Sequence, residues 1–398
     1  MIVKKFYDMN FFSIVALFVI IWYNIIEVSG IYMNLFDYAL KYGDMSFSEM
    51  PFNEVDNIVF SSLSYVNFNR IVSSGSYNKL TIREAFFKYF NLYSSDEVCI
   101  LPVRNAIKLL GIIKDTKRYG DLFLYNYVYD ANDEQQFSAL TIEINPKLVY
   151  VSFEGTDHLV SGWKEDFMMA YKFPVSSHKK AIWYINKKFL FNDKQIILGG
   201  HSKGGNLALV AGMYCNFLIR NRIVNIYNND GPGLLREQFY SNKYNCIRDR
   251  LIHIVPNYSI FGLLLYHSDN YKVIKSSKKG IISHELFTWM VKDNSFVRAE
   301  LDSFCASLDN EVLNWLNKYD RKIRKRFVLS LFDVFRRAEV VSFLEIVENK
   351  KIIFDLLDEY RDISDSDREM LKDFFSMILK CFKDVKIEEF KKLFDKND

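Results

Sequence analysis

Ser202 lies in Gly200-His201-Ser202-Lys203-Gly204, a G-x-S-x-G string between the apolar run QIIL (Gln195–Leu198) and the helix-compatible GNLALVAG. A serine on a sharp strand-to-helix turn is exposed and oriented for attack, and the strand before with the helix after is the context that gives the motif meaning. The glycines let strand and helix approach closely. The amide of Lys203, at the positive end of the helix, can stabilise an oxyanion. An ordinary βα turn would also use glycines, but the flanking elements favour a nucleophile elbow. His201 reads as a neighbour packed within the elbow, and Lys203 could steer an anionic substrate.

A second oxyanion donor is needed, and Gly155-Thr156 ends the apolar run LVYVSF one strand earlier. The backbone N–H of Thr156 is the useful donor and its hydroxyl could assist; alone, the pair would be a strand-ending turn. In such hydrolases an Asp or Glu and then a His follow the serine along the chain. His253 lies inside an expected strand and reads as a packed side chain. His267 precedes the run YKVIKS, and His284 follows it in GIISHELF, just before an expected helix.

The chain alternates to suit this chemistry. Residues 34 to about 118 read as helical, with Phe52, Val55, Ile58, Val59 and Leu63 forming one apolar face. LFLYNYVY, FSALTIEI and LVYVSF then read as strands separated by the turn compositions NDEQ and NPK. Helical stretches through Trp163 and Tyr171 and near Ala181 to Phe189 come next. QIIL leads into a helix near Lys203, IVNIY (Ile223–Tyr227) into a further helix, and LIHIV (Leu251–Val255) is another strand. This alternation implies βαβ units and a largely parallel sheet. Strands are expected to stop near residue 290, giving way to charged helices; Ser364 with Asp367 forms an N-cap signal.

Composition fits a globular chain of 398 residues: 49% hydrophobic, 25% charged and a formal net charge of +3. So small a charge gives no reason to expect a nucleic-acid partner. The basic stretch Lys318 to Arg326 is interrupted by Tyr319, Asp320 and Ile323 and reads as a solvated helix face. Five scattered cysteines, an odd number, with no CxxC pair suggest reduced, mostly buried thiols rather than a disulfide framework or zinc site. Phe11–Ile26 is apolar and follows Lys4 and Lys5, yet is somewhat short of the roughly 20 residues of a spanning helix. It reads as a membrane anchor or a secretory signal, or is absent if Met33 is the true start, in which case a cytoplasmic location follows.

The two glycine-bearing strings together resemble class 3 lipases, in which a strand ending F-R-G-T precedes a W-x-x-D helix and then G-H-S-x-G-G. The matching residues are Phe153, Gly155, Thr156, Trp163, Asp166, Gly200, His201, Ser202, Gly204 and Gly205, with Glu154 in place of the usual arginine. More closely, Leu35–Phe47, FNEVDNIVFSSLSY, GGHSKGGNLA, YNNDGPG and VPNYSIFGLLL through His284 resemble a bacterial family of lipase-like proteins, a domain of unknown function. The resemblance implies an acyl-ester hydrolase and places the catalytic histidine at His284. It also places the usual aspartate where Ser259 stands. Asp230, in YNNDGPG at the end of IVNIY, is the favoured acid, because catalytic groups of such sheets converge at strand C-termini. Asp269 is an alternative, as are a helix-capping role for Asp230 near Pro232 and a Ser–His pair oriented by Ser259.

The expectation is therefore an α/β-hydrolase core over residues 34–295, a hydrophobic segment over 1–33 and a helical region over 296–398. Catalysis would use Ser202, His284 and Asp230 with oxyanion amides of Lys203 and Thr156, on an acyl-ester or lipid substrate, with no metal or organic cofactor required. The rivals are a pseudo-hydrolase that binds lipid or acts as a scaffold, and a thioesterase or acyltransferase using the same serine.

Overall fold

The computed structural model describes residues 32–93, 101–132, 135–156, 160–341 and 350–394. The apolar segment Phe11–Ile26 and Cys99 lie outside these. Among the described residues no helix is long and apolar enough to cross a membrane.

Eight strands form one sheet whose spatial order follows the chain: β1 (Leu80–Thr81), β2 (Phe123–Asn132), β3 (Gln135–Asn145), β4 (Leu148–Phe153), β5 (Gln195–His201), β6 (Ile223–Asn229), β7 (Leu251–Pro256) and β8 (Lys272–Ile274). β1 to β4 pair antiparallel, as short connections such as that between β3 and β4 allow. β4 to β8 pair in parallel, each connected by a longer excursion, as parallel neighbours demand. β4 and β5 read as near-continuous apolar runs because all but their first residues are buried. This parallel half, with a nucleophile-type turn after β5, is an α/β-hydrolase core.

The main helices are α1 (Leu35–Tyr42), α2 (Glu54–Leu63), α3 (Ile82–Leu92), α4 (Leu101–Ile113), α5 (Val160–Met168), α6 (Ser176–Phe189) and α7 (Lys203–Tyr214). Helix α2 starts at a reciprocal cap: the Asn53 side chain accepts from the amides of Val55 and Asp56, while the Asp56 carboxylate accepts from the Asn53 amide. The periodicity predicted one apolar face on this helix, but every residue from Val55 to Leu63 is buried. Its polar residues tolerate this because they are paired: Asp56 with the buried guanidinium of Arg118, Asn57 with Asn229, and Ser61 with Tyr150.

The chain forms two compact units. The first holds the sheet and comprises the described residues up to 156 and those from 174 to 300. The second combines α5 and the residues after it, to Phe173, with the C-terminal helices α8 (Ser303–Lys318), α9 (Arg321–Arg337), α10 (Lys350–Asp362) and α11 (Asp365–Phe394). The sequence reading assigns the α5 segment to the lipase-like part, whereas its contacts join it to these helices: Phe167 packs edge-on against Phe332, and Arg324 donates to the Ala170 carbonyl at 2.7 Å. Within this second unit Trp315, Phe327 and Phe374 form a mutual aromatic cluster. The basic stretch contributes internal pairs, Lys318 to Asp373 and Arg326 to Asp367. Ser364 caps α11 through Asp367, as its spacing predicts.

Two expectations about the end of the first unit need correction. No α-helix starts directly after His284; it closes a 3-10 turn (Gly280–His284), and another turn (Leu286–Thr288) comes next. Nor do strands stop at residue 290, since β9 (Val291–Lys292) and β10 (Ser295–Phe296) form a small antiparallel pair. Each of these strands is only two residues long, too short for a period to register in the sequence.

Candidate active site

Ser202 sits between the last residue of β5 and the first of α7, with φ 56° and ψ −132°. That backbone conformation is costly for a non-glycine residue and survives only when the surroundings over-determine it. They do so here through close approach. A Cβ on Gly200 would lie 2.6 Å from the Phe153 carbonyl oxygen, and one on Gly204 would collide with that same oxygen. The Ser202 amide donates to the Asn229 carbonyl at 2.9 Å, and the Asn229 side chain donates back to the Gly200 carbonyl at 3.0 Å. The elbow is thus clamped from the neighbouring strand β6.

The next residue after β6 is Asp230, fully buried and also at positive φ, 51°. Asn228 closes the turn around it, donating to the Gly231 carbonyl and accepting from the Gly231 amide. The helix expected near Pro232 begins only at Arg236, so Asp230 does not cap it. Its carboxylate instead receives three donors. Oδ1 accepts from the Ser259 hydroxyl and from the Gly262 amide at 3.1 Å, and Oδ2 lies 2.6 Å from His284 Nδ1. A carboxylate only accepts, so His284 carries its proton on Nδ1 and leaves Nε2 as the basic nitrogen.

His284 is held from several sides. Its ring packs 4.5 Å from that of Phe261, and its turn is tied by Trp289 Nε1 donating to the Ser283 carbonyl at 2.9 Å. Among the described residues no hydrogen bond joins His284 to Ser202. β5, β6 and β7 run parallel, so the residues after them emerge at one edge of the sheet, and the loop after β8 brings His284 to the same edge.

Thr156 reaches this edge by register. Phe153 pairs with Gly200, so Thr156 lies three residues beyond that pair on one strand and Ser202 two beyond on the other. A Cβ on Gly155 would stand only 3.1 Å from the Ser202 Cβ, which measures how closely the segment passes Ser202. The Lys203 amide is the first of α7, at the positive end of that helix. The Lys203 side chain is buried, which corrects its suggested role in steering substrate from solution.

The other candidates fall elsewhere. His253 and His267, their rings 6.0 Å apart, line a separate cavity of about 440 Å³ with Tyr240, Tyr244 and Tyr266. Asp269 is exposed on the loop beside them. Ser259 does not orient His284 but hydrogen-bonds Asp230. Two contributors carry no signal in sequence: the Gly262 amide, and Tyr65, whose hydroxyl lies 2.8 Å from His201 Nδ1. Among the described residues no three His, Cys, Asp or Glu side chains converge as a metal ion would require.

Comparison with known proteins adds a family. A family model described as Mbeg1-like matches residues 113–333, just over half of the chain. Among solved structures, one described as the crystal structure of M37 lipase is similar over 52% of this chain and 68% of its own, at 14% identity and a TM-score of 0.31. No curated protein matches.

Proposed function

From the chain's membership of the Mbeg1-like family and the geometry at the sheet edge, we propose that this protein is a serine hydrolase acting on acyl esters. The observation that carries the reading is the 2.6 Å hydrogen bond from His284 Nδ1 to buried Asp230, on the same sheet edge as a strained Ser202. Ser202 Oγ would attack the ester carbonyl while His284 Nε2 takes its proton. The Lys203 and Thr156 amides would hold the resulting oxyanion. Collapse breaks the ester C–O bond, with His284 returning the proton to the leaving alkoxide. Water, deprotonated by His284, then attacks the acyl-serine and releases a carboxylic acid. Asp230 holds the imidazole in the right tautomer and balances its positive charge.

A scaffold or lipid-binding pseudo-hydrolase would draw support from an absent acid; Asp230 against His284 takes that support away. The deciding experiment is turnover of p-nitrophenyl esters together with labelling by a fluorophosphonate. Wild type should react with both and Ser202→Ala with neither, the loss in rate amounting to several orders of magnitude. Equal labelling of the two proteins defeats the assignment. Parallel assays with thioesters separate an esterase from a thioesterase or acyltransferase. Membrane contact through Phe11–Ile26 is a separate proposal, tested by fractionating the full chain against one that starts at Met33.

A further inference from the structure

His201 ends β5 beside the nucleophile, and both its ring nitrogens are engaged. Nε2 lies 2.8 Å from the His284 backbone carbonyl, and Nδ1 lies 2.8 Å from the Tyr65 hydroxyl. A carbonyl oxygen only accepts, so Nε2 carries the proton. Nδ1 of a neutral imidazole is then an acceptor, and the Tyr65 hydroxyl must donate to it. The direction of the whole chain, Tyr65 to His201 to His284, is fixed by that one carbonyl.

We infer that His201 is a positioning residue: it ties the backbone of the proposed base to the residue directly before the proposed nucleophile, with Tyr65 setting its tautomer. This rests on the assignment of Ser202 and His284 above. His284 is then held at two points, its ring by Asp230 from β6 and its carbonyl by His201 from β5. The side-chain bond orients the ring but does not tie the turn Gly280–His284, itself pinned by Trp289 at Ser283, to the elbow. The second bond refers that turn to the elbow itself. The imidazole rings of His201 and His284 stand 4.3 Å apart, so a charged His201 would oppose the imidazolium that forms on His284 during turnover. Burial first, and the neighbouring His284 second, push His201 well below the usual histidine range and keep it neutral. Gly155 leaves the room this arrangement needs, since a Cβ there would meet both the Tyr65 hydroxyl and the His201 carbonyl.

The test uses the full chain labelled with ¹⁵N-histidine, with resonances assigned by substitution, alongside ester turnover. In wild type His201 should show a protonated Nε2 and bare Nδ1, and stay neutral where an ordinary histidine has gained its proton. His201→Phe keeps a ring but loses both bonds, and should lower kcat roughly 10- to 100-fold with KM nearly unchanged, as misplacement of a reacting group does. His201→Gln, whose amide can still donate to the His284 carbonyl, should recover most of that loss, which a merely structural role would not predict. A His201 protonated on Nδ1, or a folded His201→Phe with wild-type kcat, overturns the inference. Should His201→Phe fail to fold, Tyr65→Phe removes one hydroxyl only, and an unchanged His201 tautomer and unchanged kcat in that variant would count against it. If wild type turns over no ester, the proposed function falls, while the tautomer of His201 still decides this inference alone.

Discussion

The Ser259 hydroxyl donates to Asp230 Oδ1, the carboxylate oxygen that His284 does not use. Ser259 therefore supports the carboxylate of the proposed acid, which stands at the end of the preceding strand β6. Asp230 reaches His284 because positive φ turns the chain directly after β6, and because Asn228 and Gly262 close around it.

Asp230→Asn should keep the fold and lower kcat by roughly 10²–10⁴, because an amide can leave the imidazole in the wrong tautomer. Steady-state kinetics with a thermal melt checks both halves. Full activity in a folded variant would rule out the acid role.

Ser259→Ala should cost less than Asp230→Asn, roughly tenfold in kcat, since the Gly262 amide still holds Oδ1 and the lost hydrogen bond to a charged group then contributes about 1.5 kcal/mol, the low end of its usual range. A loss as large as that of Asp230→Asn would mean that Ser259 acts on His284 itself.

Gly204→Ala should abolish labelling by a fluorophosphonate and destabilise the protein by about 3 kcal/mol or more, above the usual range for overpacking because the obstacle is backbone. The added methyl would strike the Phe153 carbonyl at the end of β4. Urea denaturation gives the energy; a wild-type midpoint with intact labelling would show that the elbow has slack.

Arg118→Met should destabilise the first unit by about 3–5 kcal/mol, because it strands the buried carboxylate of Asp56. Arg118 also donates to the backbone carbonyls of Met45, Ser46, Met50 and Pro51, so the strand-less segment before α2 should loosen with it. Hydrogen exchange at residues 45–51 reads this directly.

Stability should fall on acidification from the histidine side. Burial, with His267 nearby, pushes His253 down from 6.5 to about 3. Between those values the unfolded chain binds the proton that the native state refuses, so stability rises with pH there, by about 1.4 kcal/mol per unit at full effect. His201 contributes in the same direction below 6.5. Glu285, raised by burial to about 7, acts oppositely between 4.5 and 7, because its native form holds the proton longer. The net loss should therefore be steepest below 4.5, where Glu285 no longer offsets the histidines. Denaturant midpoints from pH 3 to 7 test this, and His253→Gln should flatten the acid side; an equally steep curve in that variant would remove His253 from the account.

Local order in the chain was enough to expect the strand before the elbow, the helix after it and the candidacy of Ser202, because a run of buried strand residues, glycines and an apolar helix must all be written consecutively. Candidacy of Asp230 and His284 was also legible, from chain order and from strand ends. Their pairing was expected only as one reading among several: the two residues are 54 apart in sequence, and what joins them is the parallel stacking of β5 to β8, which brings successive strand ends to one edge. Nor could one-dimensional order separate an acid from a helix cap, since Asp before Gly-Pro-Gly suits either; the distinction lies in a helix that starts at Arg236 rather than at Pro232. The burial of α2 on all sides and the tie from Tyr65 through His201 to His284 were decided by tertiary packing alone. A hydrogen bond between residues 136 positions apart leaves no period, spacing or composition in the chain that forms it.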